Sequence, residues 1–109
     1  MNAVNLTVEV HCLKPSWVNY ENNKYRLYVN DDLLTERTWI WELNTLINEN
    51  IWIDVPANST NTVRLELIIQ DHLLAQFALL TQFALRNLQV VNASFTSEQI
   101  NDLTISFTL

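Results

Sequence analysis

The residues able to run acid–base, nucleophilic or metal chemistry in this 109-residue chain are two histidines, one cysteine and twelve carboxylates, with serines and threonines as further hydroxyls. Nucleophilic catalysis needs a serine, cysteine or threonine beside a base that a third group orients. His11 and His72 each stand apart from any acidic or nucleophilic motif. His11 reads as a solvent-side strand residue and His72 as a turn residue. Cys12 sits in an alternating apolar row, where a small buried hydrophobe is the better reading than a reactive thiol. As the single cysteine it forms no intrachain disulfide. These residues lack the clustered His, Cys and carboxylate spacing of a transition-metal site. Calcium takes oxygen ligands from loops, so Asp31, Asp32 and Asp54 are candidates, although Asp31 and Asp32 read more simply as a turn. Glu36 and Glu42 share a strand face. Six residues along a strand span about 20 Å, too far for the roughly 5 to 10 Å between the carboxylates of a glycosidase. We therefore expect no catalytic residue, no cofactor and no resident metal.

The aromatic residues carry more functional promise. Trp17, Trp39, Trp41 and Trp52, with Tyr20, Tyr25 and Tyr28, are many large rings for this length. Trp and Tyr on a sheet face serve as a protein interface or as a sugar-stacking platform. Tyr28, Trp39, Trp41 and Trp52 are the candidates for such a surface, and a place in the core is the competing reading. Trp39 and Trp41 share a face, so both point in or both point out. Trp52 alternates against Ile51 and Ile53, which turns it outward.

The elements that must hold these rings follow from period-two patterning. Val4, Leu6, Val8, Val10 and Cys12 alternate with Asn5, Thr7, Glu9 and His11, giving a half-buried strand that Pro15 ends. Lys24 to Leu43 reads as a hairpin turning at Asn30, Asp31 and Asp32, across which Arg26 and Arg37 could face each other, a two-residue basic spot that is no nucleic-acid footprint. Glu42 to Asn50 reads as a connection with local helical tendency. Ile51, Ile53 and Val55 make a short strand that stops at Pro56, and Ala57 to Thr62 is a polar loop. Val63, Leu65, Leu67 and Ile69 form a clear strand. Asp71 to Val91 is open to two readings. In one, Asp71 caps a helix carrying Leu73, Leu74, Phe77, Leu80, Ala84, Leu85 and Leu88 at helical spacing. In the favoured one the segment forms two strands, the second running on from Phe83 with an irregular beat, as through a bulge. Leu103, Ile105, Phe107 and Leu109 alternate to the C-terminus, and such a terminal strand commonly pairs beside the N-terminal one.

Glycine is absent from the sequence. Turns that need positive φ must then use Asn or Asp, and the Asn residues do cluster where turns are wanted. The same absence removes glycine-rich phosphate loops and the dinucleotide turn. The formal charge of −6 and the scattered Lys and Arg argue against binding a phosphate backbone, so no nucleic acid is expected. No apolar run approaches the roughly 18 residues of a membrane helix, and no membrane partner is expected. The N-terminus lacks the basic start and apolar block of a signal peptide. The Asn-x-Ser/Thr triplets at Asn5, Asn58 and Asn92 are then chance products of composition. Seven or eight short strands with turns every ten or so residues predict a single all-β domain over 1–109, an antiparallel, jelly-roll-like β-sandwich, with a closed barrel as the alternative.

The run from Tyr25 to Trp39, followed by Glu49 to Pro56 and Thr62 to Glu66, resembles small uncharacterised proteins of marine tailed phages, cyanophages above all. Phe83 to Val90 suits the last strands of such β-sandwich proteins. The resemblance covers some 60% of the chain, with Asp32 to Thr38 its most distinctive part. It implies viral origin and a virion or accessory role in the host cytoplasm or the particle, and it transfers no site residues. The expected function is that of a non-enzymatic structural or interaction protein, partnered by copies of itself or by other virion proteins. The alternative is a carbohydrate-binding module of jelly-roll type, with a glycan as partner.

Overall fold

The computed structural model describes residues 2–13, 24–38, 46–68 and 82–109. Within them lie eight strands: β1 (Asn2–Leu13), β2 (Lys24–Val29), β3 (Asp32–Thr38), β4 (Leu46–Val55), β5 (Thr60–Ile68), β6 (Gln82–Val90), β7 (Thr96–Asn101) and β8 (Thr104–Thr108). They form two antiparallel sheets of order β4-β1-β6 and β3-β2-β5-β8-β7. These pack face to face as a sandwich, the all-β class that the alternation predicts; two separate sheets replace the alternative of a closed barrel.

The inner faces are the apolar rows of the sequence. Val4, Leu6, Val8 and Val10 of β1 are fully buried, as are Tyr25 and Leu27 of β2, Val63 and Leu65 of β5, and Ile105 and Phe107 of β8. They form one cluster. Burying a Val, Leu or Phe contributes roughly 1.5 to 3 kcal/mol, so this cluster is the main favourable term of the fold.

Turn geometry follows from the lack of glycine. The positive-φ residues among those described are Asn30 (51°), Asp31 (67°), Asn58 (57°) and Asn87 (54°), all Asn or Asp. Asn30 and Asp31 alone join β2 to β3, both at positive φ, which is the type I′ hairpin turn. Asp32 is already in the strand. Asn87 marks the bulge in β6. The register slips between Thr7 and Glu9 opposite β6, so the inward row passes from Phe83 and Leu85 to Leu88 and Val90. That slip is the irregular beat in the sequence, and it makes 82–90 strand rather than helix. The remainder of the Asp71 to Val91 question, residues 71–81, lies outside the described residues.

Four expectations are corrected. Leu46 to Asn50 is not a helical connection but the first half of β4, paired with β1 from His11 to Thr7. The polar run Asn48, Glu49, Asn50 masks this, because Glu49 takes an inward position between Ile47 and Ile51. The loop after Pro56 is shorter than Ala57 to Thr62, since β5 begins at Thr60. In the β2–β3 register Arg26 faces Glu36 and Arg37 faces Tyr25, so the two arginines project to opposite faces. Finally, β8 pairs with β5 and β7, not with the N-terminal strand, which is central in the other sheet. β7 itself, exposed throughout, carries no apolar alternation that would have announced it.

Candidate functional site

Trp39 and Trp41, the paired tryptophans of the sequence reading, lie outside the described residues, as do Trp17, Tyr20, Glu42, His72 and the side chain of Cys12. The structure places the other two candidates on different sheets. Tyr28 is on the outer face of β2, half-buried, with the Arg64 guanidinium 4.3 Å above its ring centre. Its hydroxyl donates to Glu66 Oε1 at 3.2 Å. The face of this ring is thus covered by an intramolecular cation–π contact. Around it runs a ladder of charges. Arg26 Nε lies 2.8 Å from Glu36 Oε1 and Arg26 Nη1 3.6 Å from Glu66 Oε1, while Arg64 Nη1 lies 3.7 Å from Glu66 Oε2. The hydrogen bond from Arg26 holds the Glu36 carboxyl below the usual carboxylate range. The Tyr28 ring and the charges around it are thus engaged within the chain.

Trp52 behaves differently. It is 66% exposed, second after Val91 among the large apolar side chains of the described residues. It stands on the outer face of β4, directly across from Asn5 of β1. Asn50, two residues before it, exchanges amide hydrogen bonds with Asn5 at 2.7 and 3.2 Å and donates to Thr7 Oγ1 at 3.2 Å. Beyond Trp52, where the edges of β3 and β4 face each other, a cleft of about 200 Å³ opens between the sheets. Val29, Leu34, Ile53 and Val55 form its walls, and Asp32, Asp54 and Asn30 its polar rim. The Asn30 amide is committed inside the fold: Oδ1 accepts from Thr62 N at 3.0 Å and Nδ2 donates to Asn61 Oδ1 at 2.8 Å. Leu34 reaches the cleft because the β2–β3 register slips between Leu27 and Tyr28, leaving it as the extra residue of a bulge.

At the other end of the same β3–β4 edge the two sheets are joined by a polar latch. Glu49, 2% exposed, accepts from the Tyr25 hydroxyl and from Arg37 Nε on Oε1, and from Arg37 Nη2 on Oε2 at 2.9 Å. Burial pushes the Tyr25 phenol above its ordinary range, and the hydrogen bond to Glu49 adds to this. The hydrogen bond to Glu49 likewise raises Arg37. All three partners hold one another, so the latch presents no free nucleophile or base. Sequence reading missed Glu49; its one signal was a carboxylate in phase with Ile47, Ile51 and Ile53.

The remaining sequence candidates do not converge. His11 Nε2 is 3.5 Å from Glu9 Oε1, too long for a good hydrogen bond, and Glu9 is held by Asn87 Nδ2 at 2.7 and 3.0 Å. Asp31 sits apart from the cleft, 4.0 Å from Arg64 Nη2. Asp32 and Asp54 do share the cleft, as two carboxylates where calcium takes six to eight oxygens. Among the described residues no group of three or more His, Cys, Asp or Glu side chains is placed to hold a metal ion. Comparison with protein-family models, curated proteins and solved structures finds no match to this chain.

Proposed function

We propose that the protein is a non-enzymatic interaction domain, a component or accessory of a viral particle, which makes its contact through the Trp52 end of the sandwich. The observation that carries this reading is the exposure of Trp52 beside the open β3–β4 edge, where Leu33 and Leu34 are also exposed. A large indole held in water by a rigid strand is the kind of anchor that protein interfaces bury. The resemblance to small phage proteins supplies the viral setting. The partner favoured is a second copy of the chain, since most soluble oligomers are symmetric assemblies of one chain. Sedimentation velocity across a concentration series tests it. Association with rising concentration, weakened by Trp52→Ala, supports the proposal; a strict monomer up to millimolar concentration overturns self-association.

A second reading, binding of a glycan, is favoured by one observation: Trp52 is flanked by amides on a sheet face, with Asn50 and Asn5 locked to each other beside it. A ring with neighbouring hydrogen-bonding groups suits the apolar face and hydroxyls of a sugar. A glycan array without signal, with and without calcium, sinks this reading.

A further inference from the structure

The cleft next to Trp52 has a chemistry of its own. Of its polar side chains, Asn30 is held through both its amide oxygen and its amide nitrogen, which leaves Asp32 and Asp54 unheld. Neither has a hydrogen bond or ion pair with another described residue, and none of the residues lining the cleft is basic. Ionised carboxylates only accept hydrogen bonds, so the occupant must bring the donors. The cleft holds about 200 Å³, below the roughly 300 Å³ at which sites for drug-sized ligands begin. It therefore has room for one side chain or head group rather than an oligosaccharide. Its walls, Val29, Leu34, Ile53 and Val55, are aliphatic and match a methylene stem. Trp is also the aromatic ring that attracts cations best, and the chain carries a net charge of −6.

We infer that this cleft receives a lysine side chain of a protein partner. The stem lies along Leu34 and Val55, and the ammonium is placed at Asp32 and Asp54 beside the Trp52 indole. The arrangement is that of a long cationic side chain, whose stem covers apolar surface while its head stays polar. This inference rests on the reading of the Trp52 end as a contact surface, and it names the group that surface takes.

The test uses N-acetyl-lysine methylamide, in which the side-chain ammonium is the only charge, titrated into the full chain and followed by two-dimensional NMR. The expected result is a saturable shift centred on the Trp52 indole N–H and the Asp54 amide. It weakens with added salt, and it weakens roughly tenfold in the Asp32→Asn, Asp54→Asn double variant. N-acetyl-norleucine methylamide, the uncharged analogue, should leave these signals in place. The inference is overturned by no shift with the lysine probe, by an equal shift with the norleucine probe, or by full affinity in the double variant. If the double variant loses its dispersed spectrum, the salt series on the unaltered chain decides, and affinity indifferent to salt overturns the inference. Chito-oligosaccharide shifting the same signals where the lysine probe does not also overturns it. The two readings fail separately. Self-association without probe binding removes only the lysine site, whereas a monomer that binds the probe removes only self-association.

Discussion

At the scale of single residues, Glu49 is the position where local chemistry and global placement conflict. It stands in an inward row of β4 otherwise made of Ile and Val, and it is tolerated because Tyr25 and Arg37 supply donors to both its oxygens. Its partners are unequally trapped. Arg37 is 47% exposed and can turn to water, whereas Tyr25 is fully buried and cannot. Glu49→Ala takes the shared acceptor from both partners and leaves a small cavity. The expected loss is about 2 to 4 kcal/mol, the lost hydrogen bonding to a charged carboxylate costing about 1.5 to 3 and the lost packing the rest. Glu49→Leu, which refills the row, should lose clearly less. Urea denaturation of the two variants measures the difference, and equal losses would show that the lost hydrogen bonds rather than packing dominate at this site.

At the scale of elements, the strands are joined by turns that use Asn and Asp where glycine would ordinarily serve. The two residues of the β2–β3 turn separate the reasons. Asp31 is 94% exposed and pairs, among the described residues, with Arg64 alone at a long 4.0 Å, so its contribution is chiefly its φ of 67°. Asn30 has positive φ too, but its amide also ties the turn to Asn61 and Thr62. Asp31→Gly is then expected to be neutral or to stabilise by up to about 1 kcal/mol, as Asn-Gly is a preferred I′ pair. Asn30→Gly keeps the backbone shape, loses both hydrogen bonds and should cost about 1 to 2 kcal/mol. Thermal melts of the two variants moving in the same direction would contradict this division.

At the scale of the molecule, the sandwich is closed along the β3–β4 edge by the latch at one end and left open at the cleft by the other. The latch should be visible in alkali. The Tyr25 phenol is raised in the folded state, so stability is full below the unfolded value of about 10. It falls as pH climbs above that value, because the unfolded chain gives up its proton first. The slope reaches about 1.4 kcal/mol per pH unit. Between pH 9 and 11 the unaltered chain should thus lose roughly 1 to 1.5 kcal/mol more than Tyr25→Phe, in which this group is absent and all others titrate alike. Denaturation at the two pH values measures it, and parallel losses would remove Tyr25 from the alkaline limb.

Residue order and type were enough for the all-β class, the inward rows of β1, β2, β5 and β8, the outward turn of Trp52 and the use of Asn and Asp at positive φ. Each of these is local: alternation needs only the pleat, and positive φ needs only the sterics of one residue. The rest came from long-range pairing. It carried β4 back through a polar run, because β1 offers a partner for all ten of its residues. It put the terminal strands in different sheets, a matter of pairing order that side-chain period does not encode. It also covered Tyr28 with Arg64 while leaving Trp52 bare. Whether an outward ring is free depends on what stands across the next strand, and register sets that through pairings far apart in the chain. For the same reason the cleft could not be read from Asp32, Leu34 and Asp54 in sequence: they meet only where the edges of two different sheets come together.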